Sequence, residues 1–276
     1  MLKKITVNKS FYLVLILVIL FKVYHIFLLF FIFVFLHELS HIAMAKKFGL
    51  NIKKMVITPI GQVAIIENIE KLVLHKKLLI VSIGVILNLS LALFFSIFEN
   101  EKMQMLKNIN LVIAFFNCLP ILPLDGGRFF SYILGSRIGD LKAGIIIKKI
   151  GIFLSFFMFI LGIIQVFIYH YNITLLALSL YFIKINKQEY LYQFYKIIIN
   201  KQKYEKDRVL RIREILVDKS YKNKNIILMI SLDYFLTIKV YVDGNKYFNI
   251  NEKIFLDYIQ KYGINGTIYD VLKEKY

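Results

Sequence analysis

The sequence predicts an α-helical polytopic membrane protein of about six transmembrane helices, followed by a small cytoplasmic α+β tail domain. Three observations carry that expectation. Of the 276 residues, 58% are hydrophobic and 20% charged, more apolar than the roughly half expected of a soluble domain. The apolar residues run in long blocks, such as Ile26 to Leu36 and Leu78 to Phe98. Beyond Lys184 the chain turns polar and basic, and from Arg208 it reads as short strands and helices. An ordinary soluble globule and a disordered chain are both excluded. Cys118 is the single cysteine, so no intrachain disulfide and no cysteine metal cluster is available.

The apolar blocks lie at 11–21, 24–45, 78–98, 109–124, 150–168 and 173–184. A spanning helix needs about 20 residues at 1.5 Å each, which the second, third and fifth blocks supply comfortably. Lys and Arg number 36 against 18 Asp and Glu, a net charge of +18. They fall on one side of the six-span arrangement: Lys3, Lys4 and Lys9; the Lys46–Lys77 loop; and Arg128 to Lys149. Both termini are therefore expected in the cytoplasm. Fusing residues 11–36 into one helix would break that pattern. No small-residue cleavage site follows Phe21, so the N-terminal block reads as a retained first span. The positive charge is accounted for by topology and by attraction to an anionic lipid bilayer. No recognition motif accompanies it, so no nucleic-acid partner is expected.

Ionisable residues inside apolar spans are costly and mark function by default. Glu38 is one, in the motif His37-Glu38-Leu39-Ser40-His41. Residues four apart share a helix face, so both imidazoles can reach one ion. Glu38 then stands beside the metal, able to take a proton from water. With 5 His in the chain, the pattern would arise by chance in about 0.3% of such chains. Two interfacial histidines would leave Glu38 stranded beside Phe35 and Leu36.

A hydrolytic zinc needs a third protein ligand. Asp125, in the segment Asn117-Cys118-Leu119-Pro120-Ile121-Leu122-Pro123-Leu124-Asp125-Gly126-Gly127-Arg128, can supply it. Prolines and glycines interrupt a helix there, which membranes tolerate where the backbone is buried or lines a wet cavity. His37 lies about 20 Å along its span and Asp125 about 22 Å along another at helical rise, so the two can meet near the cytoplasmic face. Asn117 could bond the substrate backbone or a developing oxyanion, or equally a neighbouring helix.

The H-E-x-x-H on a helix, followed some eighty residues on by N-x-x-P-x-x-P-x-D-G-G, resembles the site-2 protease family of intramembrane zinc metalloproteases. The resemblance covers the spans from Phe11 to Lys184. It implies a site-2 protease core, one Zn2+ held by His37, His41 and Asp125, and Glu38 as the catalytic acid/base. Ser40 stands where the family often has glycine. A short core with a C-terminal soluble tail is similar to the sporulation branch of the family, whose substrate is a pro-sigma factor. That likeness implies a membrane-associated substrate, inhibitory or anchoring membrane proteins as partners, and residence in the outer forespore membrane facing the mother cell. A homo-oligomer is compatible with it.

The segment Met55–Ile66 alternates about Pro59 and Gly61 as two short strands would; the resemblance implies a re-entrant loop or hairpin here, near the active site, that could guide an extended substrate. An ordinary cytoplasmic turn fits equally. His25, His75 and His170 sit near span ends and read as interfacial, and Cys118 as packing. The chain thus divides into a transmembrane core (1–184), a linker or interfacial helix (185–207) and a tail (208–276). In the tail, Ile226–Ile230 and Ile238–Val242 are strand-like, Asp243-Gly244 signals a hairpin, and Asn251 caps a helix to Tyr262. The tail resembles a CBS-type module, which implies an adenine nucleotide as a ligand. The alternative function is a membrane transporter or metal-binding scaffold. Glu38 discriminates, since ion binding could survive Gln there and hydrolysis could not.

Overall fold

The computed structural model describes residues 5–20, 22, 24–58, 61–168, 173–204, 211–242 and 246–275. It forms two compact units: Met1–Pro120 with Leu124–Phe129, and Ile121–Pro123 with Phe130–Tyr276.

The first unit opens with strand β1 (Ile5–Val7) and helices α1 (Lys9–Leu20) and α2 (Tyr24–Lys47). Lys22, between the helices, has φ 56°, a left-handed conformation that ends a helix, so residues 11–36 are two helices as expected. The basic Lys46 and Lys47 of the last turn of α2 face the negative end of its dipole. Gly49 at φ 77° terminates it, with the Leu50 N–H returning to the Ala45 carbonyl at 3.0 Å. Strands β2 (Ile52–Thr58) and β3 (Gly61–Ile66) pair antiparallel, and β1 adds parallel to β2. The expected hairpin is present, and its turn residues Pro59 and Ile60 lie outside the described residues.

Helices α3 (Leu74–Ser96) and α4 (Glu101–Cys118) complete the unit. The Asn100 side chain caps α4 by accepting from Met103 N at 2.9 Å. The apolar block 109–124 is not one helix: α4 stops at Cys118, ahead of Pro120, whose missing N–H and ring cannot continue it. Helix α5 (Asp125–Ile138) then starts afresh and runs on into the second unit.

All six apolar blocks contain a helix, but among the described residues three helices are long and apolar enough to cross a membrane: Tyr24–Lys47, Leu74–Ser96 and Asp140–Ile168. Helix α1, at 12 residues, rises only about 18 Å. Apolar side chains point outward along these helices; Leu93 is 72% and Phe153 69% exposed, as lipid-facing surface must be.

The second unit holds α6 (Asp140–Ile168) and α7 (Thr174–Tyr204), the latter continuous through Lys184. A sheet of order β4-β5-β6 follows, from β4 (Arg211–Asp218), β5 (Tyr234–Val242) and β6 (Lys246–Asn251). Along β5, Tyr234, Leu236, Ile238 and Val240 face inward in strict alternation. They pack on α8 (Asn223–Ile227), α9 (Glu252–Tyr262) and α10 (Ile268–Lys275), with Phe255, Leu256 and Val271 buried. Asn251 caps α9 as expected, accepting from Ile254 N at 2.9 Å. Residues 243–245, the expected turn, lie outside the described residues. Ile226–Ile230 is not a strand: it is the end of α8 and a turn. A five-residue apolar run is ambiguous by itself, and β4 and β5 are parallel, so the chain between them has to cross over.

The tail docks on the α5–α6 corner of its own unit. Asp140 Oδ2 accepts from Ser231 Oγ at 2.9 Å and Leu232 N at 2.5 Å, and Arg213 donates to the Arg137 carbonyl at 2.9 Å.

Candidate metal centre

On α2, His37 and His41 stand one turn apart and both are buried, with Glu38 half-buried between them. A donor atom from each of the three lies within 4.8 Å of the others. The histidines' Nε2 atoms are 3.1 Å apart. Asp125, the first residue of α5, brings its Oδ2 to 3.0 Å from each of them. The candidate ligands, 84 and 88 positions apart in the chain, thus converge on one point.

The far side of each imidazole defines what that point can hold. His37 Nδ1 lies 2.5 Å from Asn88 Oδ1, and His41 Nδ1 lies 2.6 Å from the Ile80 carbonyl, both on α3. Each acceptor assigns the ring proton to Nδ1 and leaves Nε2 as a bare lone pair. Two lone pairs and a carboxylate oxygen then meet with no donor among them, an arrangement satisfied by a cation. Zinc suits the donor set. Tetrahedral ligands at bonds of 2.0–2.1 Å stand about 3.3 Å apart, so the cluster need only widen by a few tenths of an ångström.

Space for an ion is kept by Gly84 on α3. A Cβ there would lie 2.5 Å from His41 Nε2 and 2.6 Å from His37 Nε2. Gly126, following Asp125, is as constrained, since its Cβ would meet the Cys118 carbonyl oxygen at 2.3 Å. Gly126 therefore reflects close backbone approach where α4 ends.

The Glu38 carboxylate is steadied from the hairpin. Ala64 on β3 donates its backbone N–H to Glu38 Oε2 at 3.1 Å. Gly61 permits that approach, because a Cβ there would lie 2.5 Å from Val34 of α2. Nearby on β3, Gln62 is only 4% exposed, and its carboxamide has no hydrogen-bond partner among the described residues. Asn117 donates one amide hydrogen to the Ile113 carbonyl of its own helix at 3.0 Å, and no hydrogen bond joins it to the cluster among the described residues. Cys118 is exposed. His25 and His75 are exposed, and His170 lies outside the described residues.

Sequence reasoning missed Gly84, Asn88, Asn110, the Ile80 carbonyl and Gln62. The one available signal was a pair of uncharged polar residues, Asn88 and Asn110, inside apolar blocks. A search confined to ionisable residues passes over them.

The peptidase family M50 model matches residues 100–159, a stretch containing Asp125 but not the two histidines. A zinc metalloprotease of Methanocaldococcus jannaschii is 36% identical over 163 residues, covering 56% of this chain and 46% of the relative. The stage IV sporulation protein FB of Bacillus subtilis is 28% identical over 116 residues, covering 40% of each. The match thus spans less than half the length of both curated relatives. A solved site-2 protease from M. jannaschii aligns with a TM-score of 0.56 and 29% identity, over 69% of this chain and 93% of that one. With the family model running through Asp125 and a solved site-2 protease sharing the surrounding fold, the chain is similar to the site-2 proteases of peptidase family M50.

Proposed function

We propose that this chain is a zinc endopeptidase that cuts a membrane-associated protein within or beside the bilayer, near its cytoplasmic face. The observation that carries this reading is the convergence of His37, His41 and Asp125 with Glu38 beside them. His37 and His41 through Nε2, and Asp125 through Oδ2, would hold one zinc ion. When bound there, zinc polarises the scissile carbonyl and makes water a better acid.

The protein's own groups do the rest. Glu38 takes a proton from the water that attacks the carbonyl carbon, then delivers it to the leaving amine nitrogen as the C–N bond breaks. Ala64 occupies one carboxylate oxygen; the other carries no hydrogen bond among the described residues and is available to the water. Asn117 is proposed to contact the substrate backbone or the developing oxyanion with its remaining amide hydrogen.

The substrate is proposed to enter as an extended segment, because a hydrogen-bonded helix shields its carbonyls. β3 is an outer strand of its sheet. Its N–H groups alternate in direction, so Gln62 N–H faces the same open edge as Ala64 N–H. A peptide laid along that edge would add a strand and reach Glu38. Its peptide groups would also satisfy the orphaned Gln62 carboxamide.

The finer reading is a sporulation protease that processes a pro-sigma factor. It is supported by the similarity to the stage IV sporulation protein FB. On this reading the chain is a six-span protein of the outer forespore membrane with both termini cytoplasmic, restrained by membrane partners. Its tail is a CBS-type module for an adenine nucleotide. Calorimetric titration of the full chain with ATP and AMP tests the last point, and absence of heat refutes it.

The central experiment co-expresses the chain with a candidate pro-sigma factor and compares it with Glu38→Gln. The expected result is retained zinc and cleavage slowed by about 10²–10⁴-fold, the range of a general acid/base. Undiminished cleavage by the variant refutes the assignment. Retained ion binding without hydrolysis by either protein would favour the metal-binding scaffold.

A further inference from the structure

Behind His37 a polar chain crosses three apolar helices. His37 Nδ1 meets Asn88 Oδ1 on α3 at 2.5 Å; Asn88 Nδ2 donates to Asn110 Oδ1 on α4 at 2.8 Å; Asn110 Nδ2 donates to the Leu106 carbonyl at 2.9 Å. Both asparagines are 0% exposed. Two buried carboxamides in such surroundings are costly unless satisfied, and here each makes a donor and an acceptor contact that leave one orientation. Were Asn88 flipped, its NH2 would face the His37 N–H and its oxygen would face the Asn110 oxygen, two repulsive contacts. The Leu106 carbonyl orients Asn110, Asn110 orients Asn88, and Asn88 sets the proton on His37.

We infer that Asn88 and Asn110 are positioning residues for the metal centre: a neutral relay that locks His37 with Nε2 toward the ion and tunes its strength as a ligand. This rests on the zinc reading above. His41 differs, because its acceptor is the Ile80 backbone carbonyl, which no side-chain substitution alters. The tunable ligand is therefore His37. An amide at position 88 also has an electrostatic consequence. Zinc with Asp125 and Glu38 sums to zero charge, which an apolar span tolerates. A carboxylate at 88 would leave a net negative charge there, make His37 a more basic ligand, and weaken the ion's pull on a carbonyl.

The alternative is that the pair is only interhelical glue. Purified full-length chain is stripped of metal, and its thermal midpoint is recorded without zinc. Zinc affinity is then measured by competition with a chromogenic chelator, and the visible spectrum is recorded with cobalt. For Asn88→Leu, the relay predicts zinc binding weakened about 10–100-fold, the usual cost of losing such a partner. For Asn88→Asp, which keeps the acceptor, it predicts zinc held at least as tightly as in the wild type, a shifted cobalt spectrum, and slower cleavage. Asn110→Leu should weaken zinc binding as well, and its effect should vanish in the Asn88→Leu background, since the two act in series.

Glue alone predicts lower metal-free midpoints with zinc affinity and cobalt spectra unchanged, and that result overturns the inference. Asn88→Asp keeps the question decidable if the leucine variants do not fold. A wild-type chain that binds no zinc overturns the metal reading itself. Equal binding and equal spectra in wild type and Asn88→Asp overturn only the relay.

Discussion

Gly84 stands where any other residue would put a carbon atom between the two imidazole nitrogens. Glycine in a helix interior costs about 1 kcal/mol relative to alanine, a cost offset here by room for an ion. Gly84→Ala is expected to remove bound zinc, read as metal content after dialysis. A variant that keeps one zinc per chain would show that α3 does not approach the ligands this closely. The backbone N–H of Ala64 is as specific a contact. It points away from β2 to Glu38, so proline at 64 costs no ladder bond in the sheet. A hydrogen bond to a charged group is worth about 1.5–3 kcal/mol. Ala64→Pro should therefore slow cleavage by at least about tenfold with zinc content unchanged. Unaltered cleavage would mean that Glu38 needs no such support.

Helices α6 and α7 are joined through a buried asparagine that also holds a loop. Asn186 Oδ1 accepts from Leu122 N at 3.2 Å, and its amide donates to the Lys148 carbonyl at 2.9 Å. Gly151 allows α6 to pass this closely, since a Cβ there would lie 2.7 Å from the Asn186 amide nitrogen. Leu122 lies between the two prolines, where regular helical bonds are unavailable, so its N–H depends on this side chain. Asn186→Leu leaves the buried Leu122 N–H unpaired, at about 1–3 kcal/mol, while the Lys148 carbonyl keeps its partner within α6. The expected outcome is a lowered thermal midpoint and faster hydrogen exchange at Leu122. Normal protection there would show that another acceptor replaces the amide.

Outward-facing apolar side chains suit a membrane location, and the asymmetric distribution of lysine makes the proposed orientation testable. On the proposed six-span reading, the positive-inside distribution would put the β2–β3 hairpin in the cytoplasm and the start of α4 on the opposite side. Cys118 is the single native thiol, so Cys118→Ser provides a clean background. In it, Lys53→Cys should react with a membrane-impermeant maleimide only in inverted vesicles, and Lys102→Cys only in right-side-out ones. Both positions are exposed. Labelling of both from the same side would break the six-span topology.

What could be read from the chain directly is local or periodic. His37 and His41 share a face because a helix repeats every 3.6 residues, and the donor type of Asp125 is visible wherever it folds. The β2–β3 hairpin and the Asn251 cap are equally short-range, set by turn and capping chemistry between residues close in the chain. Five apolar residues such as Ile226–Ile230 suit a strand or a buried helix alike, and in the crossover between parallel β4 and β5 they form the end of α8 and a turn. The 3.0 Å meeting of Asp125 with both histidines, the room kept by Gly84 and the Asn88–Asn110 relay came from packing. Each depends on how α2, α3 and α4 approach one another. An asparagine in an apolar block can pair with any neighbour, and a backbone carbonyl such as that of Ile80 looks like every other in the sequence. Which of them faces a ligand is decided when the helices come together and each buried polar group has to find a partner.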